Sequence, residues 1–440
     1  MAEAFSEMIA RGAARQLYRL LRFSAPFLRP LYRRIGLESR ARAVTALVRI
    51  GWNGASLAPP LVKPSEIVAP EELTPGVVCI GHPNAESGVG EALRGTARAL
   101  QAASVPFTLH GLQQYTTARL EDRSMVEHES SRLGARVNLI CDGLIGADIA
   151  TRALGPEAFA GRINILRPFW ELAGVPPRFA GSLSYFQEIW APSEFVRAAF
   201  AQAVDVPVLR IPVPVQLGEI APFSRAAHGL PAGATLFLFY FDPSSFVERK
   251  NPLAVIEAFR RAFGTASAEV GLVIKVLHVG PHEGALKKLK AVISGDKRVH
   301  LIERTMTRSE VNGLIAASDA FVSLHRSEGF GFGLAEAMFL GKPAIGTDYS
   351  GNRDFLNAET GFPVPYRLVP VKSGEYPGHE GQAWAEADID EAARHMAYVV
   401  EKPDEAKRIA LAGQAFIKTH HSPAVVGAVM RDRLSLLGAL

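Results

Sequence analysis

Two acidic and two basic residues stand out by type and spacing. Glu328 and Glu336 are separated by seven residues, with glycines at 329, 331 and 333 between them. The apolar run Ala320 to Leu324 that precedes them predicts a buried parallel strand, and a helix is expected from about Leu334 to Leu340. Gly341 and Lys342-Pro343 stop that helix, and Pro343 to Thr347 is the next strand. Small residues allow a ligand close to the backbone. The first amides of a helix have no partner within it and suit an anion such as phosphate. Glu328 closes the strand side. Glu336 is expected in the first helical turn, where a lone acid would serve equally well as a partner for the helix dipole.

The basic pair is Arg249-Lys250. It lies just before a stretch, 251–263, whose apolar Leu253, Val255, Ile256 and Phe259 predict a helix with Pro252 in its first turn. Two cations at a helix N-terminus oppose its dipole unless an anion binds there. The plainer alternative is two exposed basic residues beside Glu248. A third feature is GHPNAESGVGEALR, which follows a strand at Val77 to Ile80. Its Gly88 and Gly90 open a helix running to about Ala103, a second strand–turn–helix arrangement able to hold an anion. A single G-x-G is weak, and an ordinary turn is the plain alternative.

These groups must be positioned by a scaffold. Strand-like apolar runs alternate with helical patterns along most of the chain, which predicts α/β architecture with doubly wound, mostly parallel sheets. At 440 residues two domains are expected, one over 76–220 and one over 231–420, with 421–440 as a helix crossing back to the first. Ser193 is a predicted N-cap, and Thr307 to Glu310 has the form of a capping box. Trp170-Glu171 ends a predicted strand, the place where ligands sit in such sheets, although core packing for Trp170 and a solvated acid for Glu171 are the plain readings.

Composition excludes several classes. Hydrophobic residues make up 48% and charged residues 21%, as in a globular chain. A net charge of +4 is too small to argue for nucleic acid. No run of eighteen apolar residues suggests a membrane span, and no secretory leader is read at the start. Cys79 and Cys141 sit in apolar runs and read as buried thiols in a reducing compartment, and no zinc pattern is present, so no metal is expected. Residues 1–70 differ. Arg11, Arg15, Arg19, Arg22, Arg29 and further arginines interleave with leucines, as in a basic helix lying on an anionic membrane surface or a helical extension packed on the protein body. Prolines over 55–75 read as a linker.

The stretch EGFGFGLAEAMFLGKPAIGT, with Glu328 and Glu336, resembles the E-x7-E signature of family 4 retaining glycosyltransferases of GT-B fold. The resemblance extends in element order over roughly 76–420 and is absent from 1–70. It implies two Rossmann-like domains facing across a cleft, an acceptor-side domain first and a nucleotide-sugar domain second. It also implies that Glu328 faces the donor sugar and that Glu336 holds the ribose. Lys250 in ERKNP matches the lysine that grips the diphosphate. Many members add an arginine in a Gly-Arg pair after the strand; here that region reads FDPSS, leaving Arg249 as the replacement. SGVGEALR, with Gly88 and Gly90, matches the loop lying against the donor phosphates. Gly329, Phe330, Gly331, Phe332, Gly333 and Leu334 form the second loop, and Glu303 opens the loop over 303–306 that meets the base. Trp170 and Glu171 are acceptor-side candidates.

The activity so implied is transfer of a sugar from a nucleotide diphosphate sugar to a saccharide or lipid-linked acceptor, with no cofactor or metal. The expected setting is bacterial polysaccharide or glycolipid synthesis in the cytoplasm, or peripherally on the membrane through residues 1–50. An inactive GT-B binding or scaffold subunit and a GT-B epimerase are the alternatives. The first would be expected to lack Glu328, Glu336 or Lys250, and all three are present.

Overall fold

The computed structural model describes residues 62–440, apart from 113–115, 117, 265–268 and 278–282, together with 13, 14, 16 and 17. Nearly all of the basic N-terminal stretch, and with it the expectation of a membrane-facing helix, lies outside the described residues. Among the described residues no helix is long and apolar enough to cross a membrane.

Apolar runs become two six-stranded parallel sheets. The first contains β1 (Thr74–Gly81), β2 (Phe107–Gly111), β3 (Ala135–Gly143), β4 (Ile163–Phe169), β5 (Glu188–Ala191) and β6 (Val208–Arg210), in the order β2-β1-β3-β4-β5-β6. The second contains β7 (Thr235–Phe241), β8 (Val270–Val276), β9 (Val299–Ile302), β10 (Ala320–Ser323), β11 (Ala344–Thr347) and β12 (Phe362–Val364), in the order β12-β11-β10-β7-β8-β9. In both, the order reverses beside the first strand, the switch point at which such sheets open a crevice at their carboxyl ends. Helices cover both faces, so central strands such as β8 are buried at every residue.

The helices that matter for the site are α1 (Gly88–Ala102), α2 (Leu144–Leu154), α3 (Glu194–Ala201), α4 (Pro252–Phe263), α5 (Glu283–Ile293), α6 (Arg308–Ala317) and α7 (Phe332–Phe339). They are followed by α8 (Ile389–Glu401), α9 (Pro403–His420) and α10 (Pro423–Leu436). Ser193 caps α3 and Thr307 caps α6 with a complete capping box, as the sequence predicts. The last helix leaves the second domain: Val426, Met430 and Leu434 of α10 join the core that β1 and α1 build, and Arg433 pairs with buried Glu188 of β5.

The carboxyl ends of the two sheets meet. Ser193, just after β5, donates its hydroxyl to the Gly329 carbonyl at 2.8 Å. Arg210 at the end of β6 pairs with Asp354 at 3.0 Å. A Cβ on Gly329 would lie 3.3 Å from the Trp170 carbonyl oxygen, and one on Gly88 would lie 4.0 Å from the Phe332 ring. A hairpin of β13 (Tyr366–Pro370) and β14 (Ala383–Ala387) extends from the second domain, and its loop packs on the first.

Candidate active site

Glu328 lies beyond β10, buried at 9% exposure. Its amide donates to Ser350 Oγ at 2.8 Å, and its carbonyl accepts from Gly351 N at 2.9 Å. His325 is fully buried between Ser323 and Asn352, and Thr347 Oγ1 donates to its carbonyl. The turn after β11 therefore holds the backbone on which Glu328 stands.

Arg249 and Lys250 converge on that carboxylate. Arg249 Nη1 donates to Glu328 Oε2 at 3.0 Å and to the Ser327 carbonyl at 2.8 Å, and Lys250 Nζ pairs with Glu328 Oε1. Burial alone would raise the Glu328 carboxyl; Lys250 and Arg249 outweigh it and hold it at about 2. Burial also lowers Arg249, but Glu328 and Glu171 more than reverse this. Lys250 stays below its ordinary value because burial outweighs the pull of Glu328. Glu328 is thus ionised between two desolvated cations.

The two basic residues lie just before α4, as the sequence predicts, with the N-cap Asn251 between. They also end a separate helical turn, Val247–Lys250, whose C-terminus favours cations. Phe246 (φ 66°) enters this turn and Asn251 (φ 53°) leaves it, both in the left-handed region. Ser350, which accepts from the Glu328 amide, has φ 70°. Such strain persists where surroundings over-determine the backbone, and it gathers here around the charged cluster.

Glu336 differs from its expected position. The helix starts at Phe332, two residues early, so Glu336 falls in its second turn and the dipole-partner alternative no longer applies. It is 3% exposed and accepts from Arg308 and from Tyr240 Oη. Burial followed by Glu336 pushes Tyr240 well up. Burial would lower Arg308, yet Glu336 and then Glu91 of α1 carry it above its ordinary value. Arg308 thus responds to acids in both domains. It was not singled out from the sequence, although the signal was present: it is the first residue of α6, where a cation opposes the helix dipole, the same argument that flagged Arg249-Lys250.

The two glycine turns differ from each other at their helix starts. At α1 the Gly90 amide donates to Ser87 Oγ at 3.3 Å, so the cap takes one of the first amides, while those of Gly88 and Val89 have no partner within the helix. Gly90 is glycine because a Cβ would meet the Ala85 carbonyl oxygen at 2.1 Å. At α7 the N-cap is Gly331 (φ 101°), which brings no capping side chain. Phe330 and Leu334 are buried, so that loop offers backbone rather than these side chains. Glu303 pairs with Lys290 of α5 at 2.8 Å, one residue past β9. Trp170 is 1% exposed, in the core, with its indole N–H on the Gly174 carbonyl. Glu171 lies beside Arg249 (3.8 Å) and accepts from Tyr376 Oη.

The class follows from these features: two parallel α/β domains facing at their carboxyl edges with a charged cluster between them, the GT-B architecture. Residues 222–369, within the second domain, match the family described as Glycosyl transferases group 1. Solved structures share the fold. Anabaena HepE in complex with UDP-glucose aligns with TM-score 0.60 at 15% identity, covering 82% of this chain and 100% of that one. Sucrose-phosphate synthase from Thermosynechococcus elongatus gives 0.61 at 13%, covering 83% and 99%. The apo form of a lipopolysaccharide outer core galactosyltransferase gives 0.54 at 14%, covering 83% and 100%. A comparison with curated protein sequences finds no match.

Proposed function

We propose that the protein is a retaining glycosyltransferase that moves a sugar from a nucleotide diphosphate sugar to an acceptor hydroxyl. The observation that carries this reading is the buried Glu328 held between Arg249 and Lys250 where the two sheets meet. In the proposed reaction the donor diphosphate displaces Glu328 from Lys250, and the freed carboxylate takes the sugar hydroxyls. The bond between the anomeric carbon and the phosphate oxygen breaks, and the pair of electrons leaves with the nucleoside diphosphate. Arg249, Lys250 and the open amides at α7 stabilise that charge, so no metal ion is required. The acceptor oxygen attacks the same face, and its proton passes to the departing phosphate. Glu336, fixed by Arg308 and Tyr240, binds the ribose. A saccharide or lipid-linked acceptor in polysaccharide or glycolipid synthesis completes the reading.

UDP is the first nucleotide to test, since Anabaena HepE, which shares the fold, is a UDP-glucose complex. Calorimetry with UDP, GDP and ADP on wild type and Glu336→Ala is expected to show one diphosphate binding, with affinity lost in the variant. Turnover in EDTA and the anomeric configuration of product by NMR test the rest. Inverted product would overturn retention; absence of binding by all three diphosphates would overturn the transferase reading.

A further inference from the structure

The hairpin β13–β14 does more than decorate the second domain. Val371 and Tyr376 of its loop and Trp384 of β14 lie buried in the core of the first domain. Gln382 Oε1 accepts from Gly174 N at 3.0 Å. A Cβ on Gly378 (φ 77°) would come within 2.6 Å of the Pro176 side chain. The loop is therefore seated on the segment that follows β4, the same segment that carries Trp170 and Glu171.

Tyr376 is the inner end of this contact. Its ring stands edge-on to Trp170 at 5.5 Å and tilted on Phe246 at 4.8 Å, the residue that opens the Arg249-Lys250 turn. Its hydroxyl donates to Glu171 Oε2, leaving Glu171 Oε1 to face Arg249 Nη2 at 3.8 Å. Arg249 is held on its other sides by Glu328 Oε2, the Ser327 carbonyl and, through Nε, the Ser245 carbonyl at 3.0 Å. A continuous line Tyr376–Glu171–Arg249–Glu328 thus joins the seated hairpin to the charged centre.

We propose that Tyr376 and Glu171 are positioning residues for Arg249. Tyr376 fixes the Glu171 carboxylate, and Glu171 keeps the guanidinium aimed at the donor diphosphate once Glu328 has turned to the sugar. Seating of the hairpin on the first domain thereby becomes a condition for turnover. Glu171, in this account, serves the arginine rather than the acceptor. The inference rests on the glycosyltransferase reading above.

Tyr376→Phe removes one hydroxyl and leaves the ring packing, so the melting temperature should stay close to wild type. Turnover, measured as release of nucleoside diphosphate from UDP-, GDP- or ADP-sugar, is expected to fall between about tenfold and a hundredfold, with the acceptor KM unchanged. In an Arg249→Gln background the same change should cost nothing further, because residues acting through one another are not additive. Glu171→Ala should raise no acceptor KM either. Equal losses from Tyr376→Phe in both backgrounds, or a raised acceptor KM with kcat intact in Glu171→Ala, would overturn the positioning role alone. A wild type that releases no diphosphate from any of the three donors would overturn the transferase reading itself, and the positioning role with it.

Discussion

The chain builds the strand–glycine–helix turn twice, and the two copies end differently. At α1 the turn is partly closed: Ser87 takes the Gly90 amide with its side chain, leaving those of Gly88 and Val89 without a partner in the helix, and Gly90 is small because the Ala85 carbonyl passes beneath it. At α7 the turn is open: Gly331 caps without a side chain, and the helix begins one residue later. The carboxylate and the paired cations stand beside the open copy. A glycine pattern alone does not distinguish a turn that needs glycine for packing from one that leaves amides available, because the difference lies in where the N–H groups go.

The largest expected effect tests whether the cations beside the open turn carry the chemistry. Lys250→Ala removes a charge beside the departing diphosphate and should lower turnover by roughly a hundredfold or more. The check is initial rate of diphosphate release at saturating donor. Retained activity would shift the burden to Arg249 and the α7 amides.

Acid titration sharpens the same point. The Glu328 carboxyl lies at about 2 in the fold, against an ordinary value of 4.5. A lowered folded value gives stability that is complete above the ordinary value and is lost as pH falls toward the folded one. The loss associated with Glu328 therefore falls between about pH 4.5 and 2 and is on the order of 3 kcal/mol if fully expressed. Burial at Lys250 works against the pairing, so the net contribution of the cluster is smaller. Urea unfolding between about pH 5 and 3 should show a steeper decline for wild type than for Glu328→Gln. Parallel declines would mean that the pair does not persist in solution.

The two turns can next be compared directly. Gly90→Ala should destabilise the protein by about 3 kcal/mol, since a Cβ has no room against backbone. The protein that remains folded should bind nucleoside diphosphate as before. Gly331→Ala meets only side-chain atoms, at 3.2 Å or more, and should cost about 1 to 2 kcal/mol through its left-handed backbone. It should also weaken diphosphate binding about tenfold, because the open amides shift. Calorimetric titration beside urea melts separates the outcomes; equal loss of affinity in both variants would mean that both turns touch the phosphates.

Much of this was legible in the sequence for physical reasons. Apolar runs bounded by glycine and proline, alternating with helical periodicity, are what parallel sheets require, and the observed strands follow them. Ser193 and Thr307 were readable as caps because the chemistry is local. What was not legible depends on distant parts of the chain. The start of α7 fell two residues early, moving Glu336 out of the first turn. Arg308 gained its partner from a helix 28 residues on. Trp170-Glu171 marked the right strand end, but the partner of Glu171 comes from a hairpin 205 residues away. That hairpin follows the second sheet and carries no chemical motif of its own, so its reach to the first domain appears only in three dimensions.

The smallest expected effect isolates the partly closed turn. Ser87 caps α1 by accepting from the Gly90 amide, and its hydroxyl is thereby engaged within the helix start. Ser87→Ala leaves the Gly90 amide without its partner and should cost about 1 kcal/mol of stability, the usual worth of an N-cap serine. Diphosphate affinity should not change, because no ligand competes for that hydroxyl. If the variant instead binds diphosphate more tightly, the Gly90 amide, once released from Ser87, reaches the phosphates. The partly closed turn would then be a second anion site masked by its own cap, and the contrast between the two turns would be one of occupancy rather than of design.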